Sequence, residues 1–266
     1  MLWFIYIFFL GLIVGSFVNV VIYRIPRGES VVYGRSRCAN CGKKIAWYDL
    51  IPVVSFFALK ARCRQCRQRI SWLYPAVELY SGIIFVLAFS FLGQFRLADW
   101  LFTVFILESL LILALIDFKN LILPDSVMLA MFAGVIGYGI FERLSSSYRF
   151  GIFSINNFIA AAVLFSALFL VWLLSKGAWL GLGDVKLAGL IGLIFGLWGG
   201  LIIIYGAIIA GTIVGLFLLA NRRANLKTKL PLGTLISFSA MIYVFLGTII
   251  QNKLADFFYA VPLILK

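Results

Sequence analysis

Residues 187–221 run for 35 positions without an acidic or basic side chain, and this is only the longest of several such stretches. Across the 266 residues, 64% are hydrophobic, 12% are charged and the mean hydropathy is +1.08. A soluble domain of this size cannot hide that much apolar surface, so the bilayer must be its solvent. The runs do not alternate polar with apolar residues as barrel strands would. The expected fold class is an all-α polytopic membrane protein.

A span needs about 20 apolar residues. Such runs are readable at 1–23, 74–93, 100–116, 124–141, 151–175 and 230–252. The 187–221 stretch is too long for one helix and too short for two, and Gly196-Leu-Trp-Gly-Gly200 offers a turn in its middle. Two helices fit if the first begins near Trp179. The sum is about eight transmembrane helices, divided as a first helix (1–23), a polar insertion between helices one and two (24–73), a seven-helix core (74–252) and an interfacial tail (253–266). The first run is followed, not preceded, by basic residues, which predicts a retained span and not a cleaved signal.

The net charge of +13 is unevenly placed. Eleven of the 23 basic residues lie between Arg24 and Arg69, and Arg222, Arg223, Lys227 and Lys229 form a second cluster. With the insertion in the cytoplasm, the odd-numbered connections face inward and collect 18 of the 23. This is positive-inside topology with contact to anionic lipid, and it argues against nucleic acid as the partner.

The insertion carries Cys38-Ala-Asn-Cys41 and Cys63-Arg-Gln-Cys66, 21 residues apart. Two CxxC knuckles brought together make a four-thiolate tetrahedral site suited to zinc, which would staple a loop too small for its own core. The flanking cations help offset the charge of such a centre. Two structural disulfides are the plainer alternative, disfavoured by a reducing compartment.

The chain has no histidine, which removes Ser–His and Cys–His nucleophile pairs and histidine metal sites. Acid–base chemistry then falls to carboxylates. Asp117 closes the apolar run from Ser109 to Ile116, and Asp184 sits in Gly181-Leu-Gly-Asp-Val-Lys186. A carboxylate at membrane depth costs about 3 kcal/mol on insertion scales, so it is a functional candidate by default. The topology puts both at the cytoplasmic face. Sharing one proton, such a pair can polarise a carbonyl with one member and activate water with the other. Gly181 and Gly183 leave room for an extended backbone, and Lys186 supplies positive charge or snorkels to headgroups. Plainer readings exist for each: Asp117 as a helix end in the headgroup zone, Asp184 as an N-cap, Asp125 as the start of a helix. Glu108 suits a partner for a buried base, a polar contact between helices or a cavity residue, and Glu78 a pairing with Arg69 or the insertion.

These residues, in this order, resemble the type IV prepilin peptidases. The likeness begins with Gly15-Ser-Phe-Val-Asn-Val-Val-Ile-Tyr-Arg-Ile-Pro26 and passes through the cysteine pairs, Trp47-Tyr-Asp-Leu-Ile-Pro52 and Tyr74-Pro-Ala-Val-Glu78. It ends with Asp117, Pro124-Asp125 and Gly181-Leu-Gly-Asp-Val-Lys186. The resemblance implies an aspartyl membrane peptidase of the bacterial cytoplasmic (inner) membrane, with Asp117 and Asp184 as its pair. It implies cleavage of prepilin or pseudopilin leaders after a glycine, in type IV pilus or type II secretion systems. It also implies S-adenosylmethionine-dependent methylation of the new N-terminal residue, usually Phe, with zinc held by Cys38, Cys41, Cys63 and Cys66. No glycine-rich loop marks the S-adenosylmethionine pocket. The pattern's Pro-Phe-Gly-Pro near the last span reads Pro231-Leu-Gly-Thr234 here. Rival readings are a peptidase without the methyltransferase, a proton- or cation-coupled transporter and a non-enzymatic assembly factor.

Overall fold

The computed structural model describes residues 2–92, 96–145, 151–221 and 230–264. Among the described residues there are eight α-helices: α1 (Leu2–Arg24), α2 (Val54–Ala58), α3 (Leu73–Leu92), α4 (Leu97–Asn120), α5 (Asp125–Leu144), α6 (Ile155–Leu174), α7 (Leu182–Ala220) and α8 (Leu232–Ile264). Among the described residues no strand forms beyond two isolated bridges, Arg37 with Lys44 and Arg62 with Arg69. The protein is therefore all-helical, as the composition required. Six of the described helices are long and apolar enough to cross a membrane. Large apolar side chains such as Phe17, Ile83, Phe132, Leu170 and Ile213 lie exposed on them, as a lipid solvent demands. The protein is a multi-pass membrane protein. The basic cluster Arg222, Arg223, Lys227 and Lys229 lies outside the described residues.

α7 has 39 residues, roughly 60 Å of helix and twice the hydrocarbon thickness. It breaks at Gly196, inside the Gly196–Gly200 stretch where a turn was expected, with φ 69° and ψ −175°. A break inside a membrane frees backbone carbonyls that must find donors. Here Asn157 of α6 donates its Nδ2–H to the Leu193 carbonyl at 3.0 Å. α6 and α7 approach closely enough that a Cβ on Gly192 would stand 2.8 Å from the Ala160 carbonyl.

The chain divides into two units, residues 1–112 and 113–266, with the boundary inside α4. In the first unit α1 lies against α3 through small residues spaced four apart. A Cβ on Gly11 would meet the Gly82 Cα at 2.7 Å, and one on Gly15 the Glu78 Cα at 2.7 Å. Without a hydrophobic drive between helices in lipid, such close backbone approach supplies the attraction. Polar side chains add to it: Asn19 donates to the Tyr74 carbonyl at 3.0 Å, and Ser81 donates to Glu108 at 3.0 Å. Of the three readings of Glu108, the polar contact between helices is the one found. Ile7, Phe85, Ala88, Trp100 and Val104 close the unit's apolar core. In the second unit the C-terminal end of α5 is tied by Glu142, whose carboxylate accepts from the Gly151 and Ile152 N–H groups at 3.3 and 3.2 Å.

Gly15→Val should therefore force α1 off α3 and cost about 2 kcal/mol. Gly137→Ala, where a Cβ meets open space, should leave stability unchanged or slightly raised. Thermal unfolding of the two variants in detergent checks the contrast.

Candidate active site and cysteine cluster

Asp117 lies inside α4, one turn before its end, and not after it as the apolar run suggested. The helix continues to Asn120 and stops where Leu121 turns left-handed at φ 55°, its N–H donating back to the Asp117 carbonyl at 2.8 Å. Pro124 then fixes an extended residue ahead of α5, which opens on Asp125. A carboxylate in the first turn of a helix is stabilised by the exposed N–H groups there. The plainer reading of Asp125 as a helix start is what the chain adopts.

The Asp117 side chain is 5% exposed and must find donors within the protein. They come from the start of α8. Thr234 donates its backbone N–H to Asp117 Oδ2 at 2.7 Å, and its hydroxyl stands 3.0 Å from the same oxygen. The hydroxyl is also 3.0 Å from the Ala114 carbonyl, one turn earlier in α4.

Asp184 occupies the first turn of α7, with Gly181 as the N-cap residue. Its Oδ2 accepts from the Gly181 N–H at 3.2 Å, so it does serve its helix end. Leu123 fills the space between these elements: a Cβ on Gly183 would stand 2.8 Å from the Leu123 Cβ, and one on Gly233 would stand 2.8 Å from Leu123 Cδ1 and 3.1 Å from Asp117 Oδ2. Both glycines are thus required by close packing around the carboxylates. Lys186 pairs with Asp125 at 2.7 Å. Both side chains are well exposed, so the pair contributes under about 1 kcal/mol.

In the first unit, the two CxxC segments fold into matching knuckles. The Cys38 N–H donates to the Lys43 carbonyl and Gly42 N–H back to Cys38; the Cys63 N–H donates to Gln68 and Arg67 N–H back to Cys63. Gly42 and Arg67 hold the equivalent left-handed position, at φ 68° and 59°. The four sulfurs lie within 4.8 Å of one another, with Cys38 and Cys66 Sγ 3.8 Å apart. A tetrahedron with metal–sulfur bonds of about 2.3 Å has edges of about 3.8 Å, so the group fits one tetrahedral ion. The Gln68 backbone N–H, then the Asn40 amide, brings the Cys66 thiol down to about 6, and the Cys41 backbone N–H leads in lowering Cys38. At Cys41 the Lys43 N–H favours the thiolate, yet burial and the neighbouring sulfurs push it up to about 11. Crowded thiols share negative charge poorly until a cation sits among them.

Arg64, between the second pair of cysteines, grips Asp49 with bonds of 2.7 and 2.9 Å and lies over the Tyr48 ring. Pro52-Val53-Val54 makes a tight γ-turn, with Val53 at φ 61°, ψ −52° and Val54 N–H on the Pro52 carbonyl at 2.6 Å. That hand of γ-turn is strained. Glu78 of α3 holds it, accepting the Val53 N–H at 2.7 Å. Of the two partners expected for Glu78, the insertion is the one found.

With both clusters described, comparison with known proteins places the chain. Residues 9–92 match the family described as Bacterial Peptidase A24 N-terminal domain, and residues 104–216 match the Type IV leader peptidase family. A Prepilin leader peptidase/N-methyltransferase from Pseudomonas putida is 31% identical, over 90% of this chain and 88% of that protein. Its counterpart in Klebsiella pneumoniae is 37% identical, over 72% and 84%. The chain belongs to the type IV leader peptidase family. A further relative of the same name, from Myxococcus xanthus strain DK1622, is 38% identical over 85% of this chain, which spans 66% of that protein. No solved structure matches the chain significantly. As a member of this family the chain is an enzyme, a peptidase and N-methyltransferase by the name its relatives share.

One residue of this leader peptidase's carboxylate site escaped the sequence reading. Thr234 lies beyond the matched residues, in the loop where the resembled pattern carries proline. A proline has neither an N–H nor a hydroxyl, so the departure was the signal: a two-donor residue at the mouth of the last apolar helix.

Glu78→Ala should release the γ-turn and cost about 1–3 kcal/mol locally, the price of a buried N–H left unpaired. Limited trypsin digestion should then cut after Lys60 or Arg62 at least several-fold faster than in the unaltered protein.

Proposed function

We propose that this protein cleaves the leader of type IV prepilins and pseudopilins after a glycine, using Asp117 and Asp184, and then methylates the new N-terminal residue. The observation that carries the reading is a buried Asp117, supplied with donors by Thr234 at a start of α8 that packs on the same Leu123 as the first turn of α7, where Asp184 sits. The chain's lack of histidine leaves carboxylates as the means of hydrolysis.

In this mechanism one carboxylate is ionised and its partner protonated. The ionised one takes a proton from water as the oxygen attacks the scissile carbonyl, and the protonated one donates to the carbonyl oxygen. Collapse of the tetrahedral adduct breaks the C–N bond, the amine leaves with a proton, and the leader ends in a carboxyl group. Gly181, Gly183, Lys186 and Asp125 are supporting residues: the glycines by close packing, the ion pair by holding the start of α5 near that of α7. The mature amine is then the methyl acceptor, and S-adenosylmethionine supplies the methyl group.

Cys38, Cys41, Cys63 and Cys66 would hold a structural zinc ion, a role that the near-tetrahedral spacing of their sulfurs supports. The distribution of basic residues supports an orientation with the insertion and the carboxylates toward the cytoplasm, in the bacterial inner membrane. A chain broken at Gly196 supports the eight-span count, and the proposed division is 1–23, 24–73, 74–252 and 253–266.

Mass spectrometry of a prepilin incubated with the purified protein and S-adenosylmethionine tests this directly. The expected product lacks the leader and carries one added methyl group. Asp117→Asn and Asp184→Asn should each lower cleavage by about a thousand-fold. Cleavage unaffected by either substitution would overturn the pair.

Metal analysis should find one zinc per chain, lost in Cys66→Ser. That variant is expected to lose methylation while still cleaving, and equal loss of both activities would refute a separate role for the insertion.

A further inference from the structure

We infer that the Thr234 hydroxyl is a rotor that follows the charge on Asp117, making Thr234 a positioning residue for the peptidase step. This rests on the reading of Asp117 as one of the two catalytic carboxylates.

Thr234 presents two donors of different kinds to one oxygen. Its backbone N–H, at 2.7 Å from Asp117 Oδ2, is fixed by α8 and cannot turn away. Its hydroxyl has one proton and two acceptors at equal range, Asp117 Oδ2 and the Ala114 carbonyl, both at 3.0 Å. Thr234 and Asp117 are each 5% exposed, so the hydroxyl must choose between these two protein oxygens.

The charge on Asp117 decides the choice. When the carboxylate is ionised, Oδ2 is much the stronger acceptor, and the hydroxyl gives it a charge-assisted hydrogen bond. When Asp117 gains a proton at Oδ1, Oδ2 becomes an ordinary carbonyl oxygen. The hydroxyl can then swing to Ala114 while the N–H alone keeps the carboxyl in place. No covalent bond changes in this motion; the proton stays on the hydroxyl throughout.

The consequence is a division of labour within one side chain. With Oδ2 occupied by Thr234, proton exchange with water falls to Oδ1. The ionised form receives an extra donor that withdraws when it is not needed, so both protonation states of Asp117 are accommodated without movement of α4 or α8. The proline of the resembled pattern supplies neither donor, so the rotor is a property of this chain.

Thr234→Val keeps the shape and the backbone N–H but removes the rotor, and Thr234→Ser restores it. The test measures steady-state cleavage of a prepilin, with methylation of an already cleaved pilin as a second readout, alongside Asp117→Asn. The expected result for Thr234→Val is a kcat lowered roughly tenfold, KM within about twofold, normal methylation, and kcat restored in Thr234→Ser. Unchanged kcat in Thr234→Val with Asp117→Asn inactive would overturn the rotor and leave the aspartate pair standing. A slow Thr234→Ser, or a Thr234→Val that also loses methylation, would make Thr234 merely structural and overturn it equally. Full cleavage by Asp117→Asn would remove the pair, and the rotor with it.

Discussion

A carboxylate withdrawn from water inside an apolar protein must be given donors, and Asp117 receives them from Thr234, 117 residues further along the chain. That contact ties the end of α4 to the start of α8. Leu123 fills the gap between α8 and the first turn of α7, where Asp184 sits. Gly183 and Gly233 are the residues that let Leu123 in. The packing around Leu123 thus sets the surroundings of Asp117 and the first turn of α7 together.

The same demand for satisfied polar groups explains features that look unrelated. The Gly196 break in α7 is tolerated because Asn157 takes up the Leu193 carbonyl. Glu142 captures the N–H groups that begin the segment before α6. In lipid the alternative to such partners is an unpaired group costing several kcal/mol, so Asn157 and Glu142 have places fixed by the backbone groups they satisfy. Small residues do the complementary work, bringing α1 against α3 and α6 against α7.

The insertion is held by different physics. It has too little apolar content for a core of its own, and it closes around four sulfurs, the Arg64–Asp49 pair and a strained turn at Val53. Glu78 joins that turn to α3. The carboxylate on the turn is a cross-link of the kind small folded segments need, as a metal ion among the thiolates would be.

The sequence by itself determined the solvent and the helical class, and it singled out both groups of candidate residues. Apolar length is a local property, and the cost of an unneeded charge in lipid makes Asp117 and Asp184 conspicuous wherever they fall. The cysteine knuckles were equally legible, since each closes within six residues. Tertiary structure alone decided the rest. It carried α4 past Asp117 to Asn120, chose the insertion over Arg69 for Glu78, paired Lys186 with Asp125 and delivered Thr234 to Asp117. A threonine among apolar neighbours carries no periodic signal, because its value lies in an acceptor 117 residues away. Hydropathy fixes how deep a residue sits; only the packing of helices fixes what it meets there.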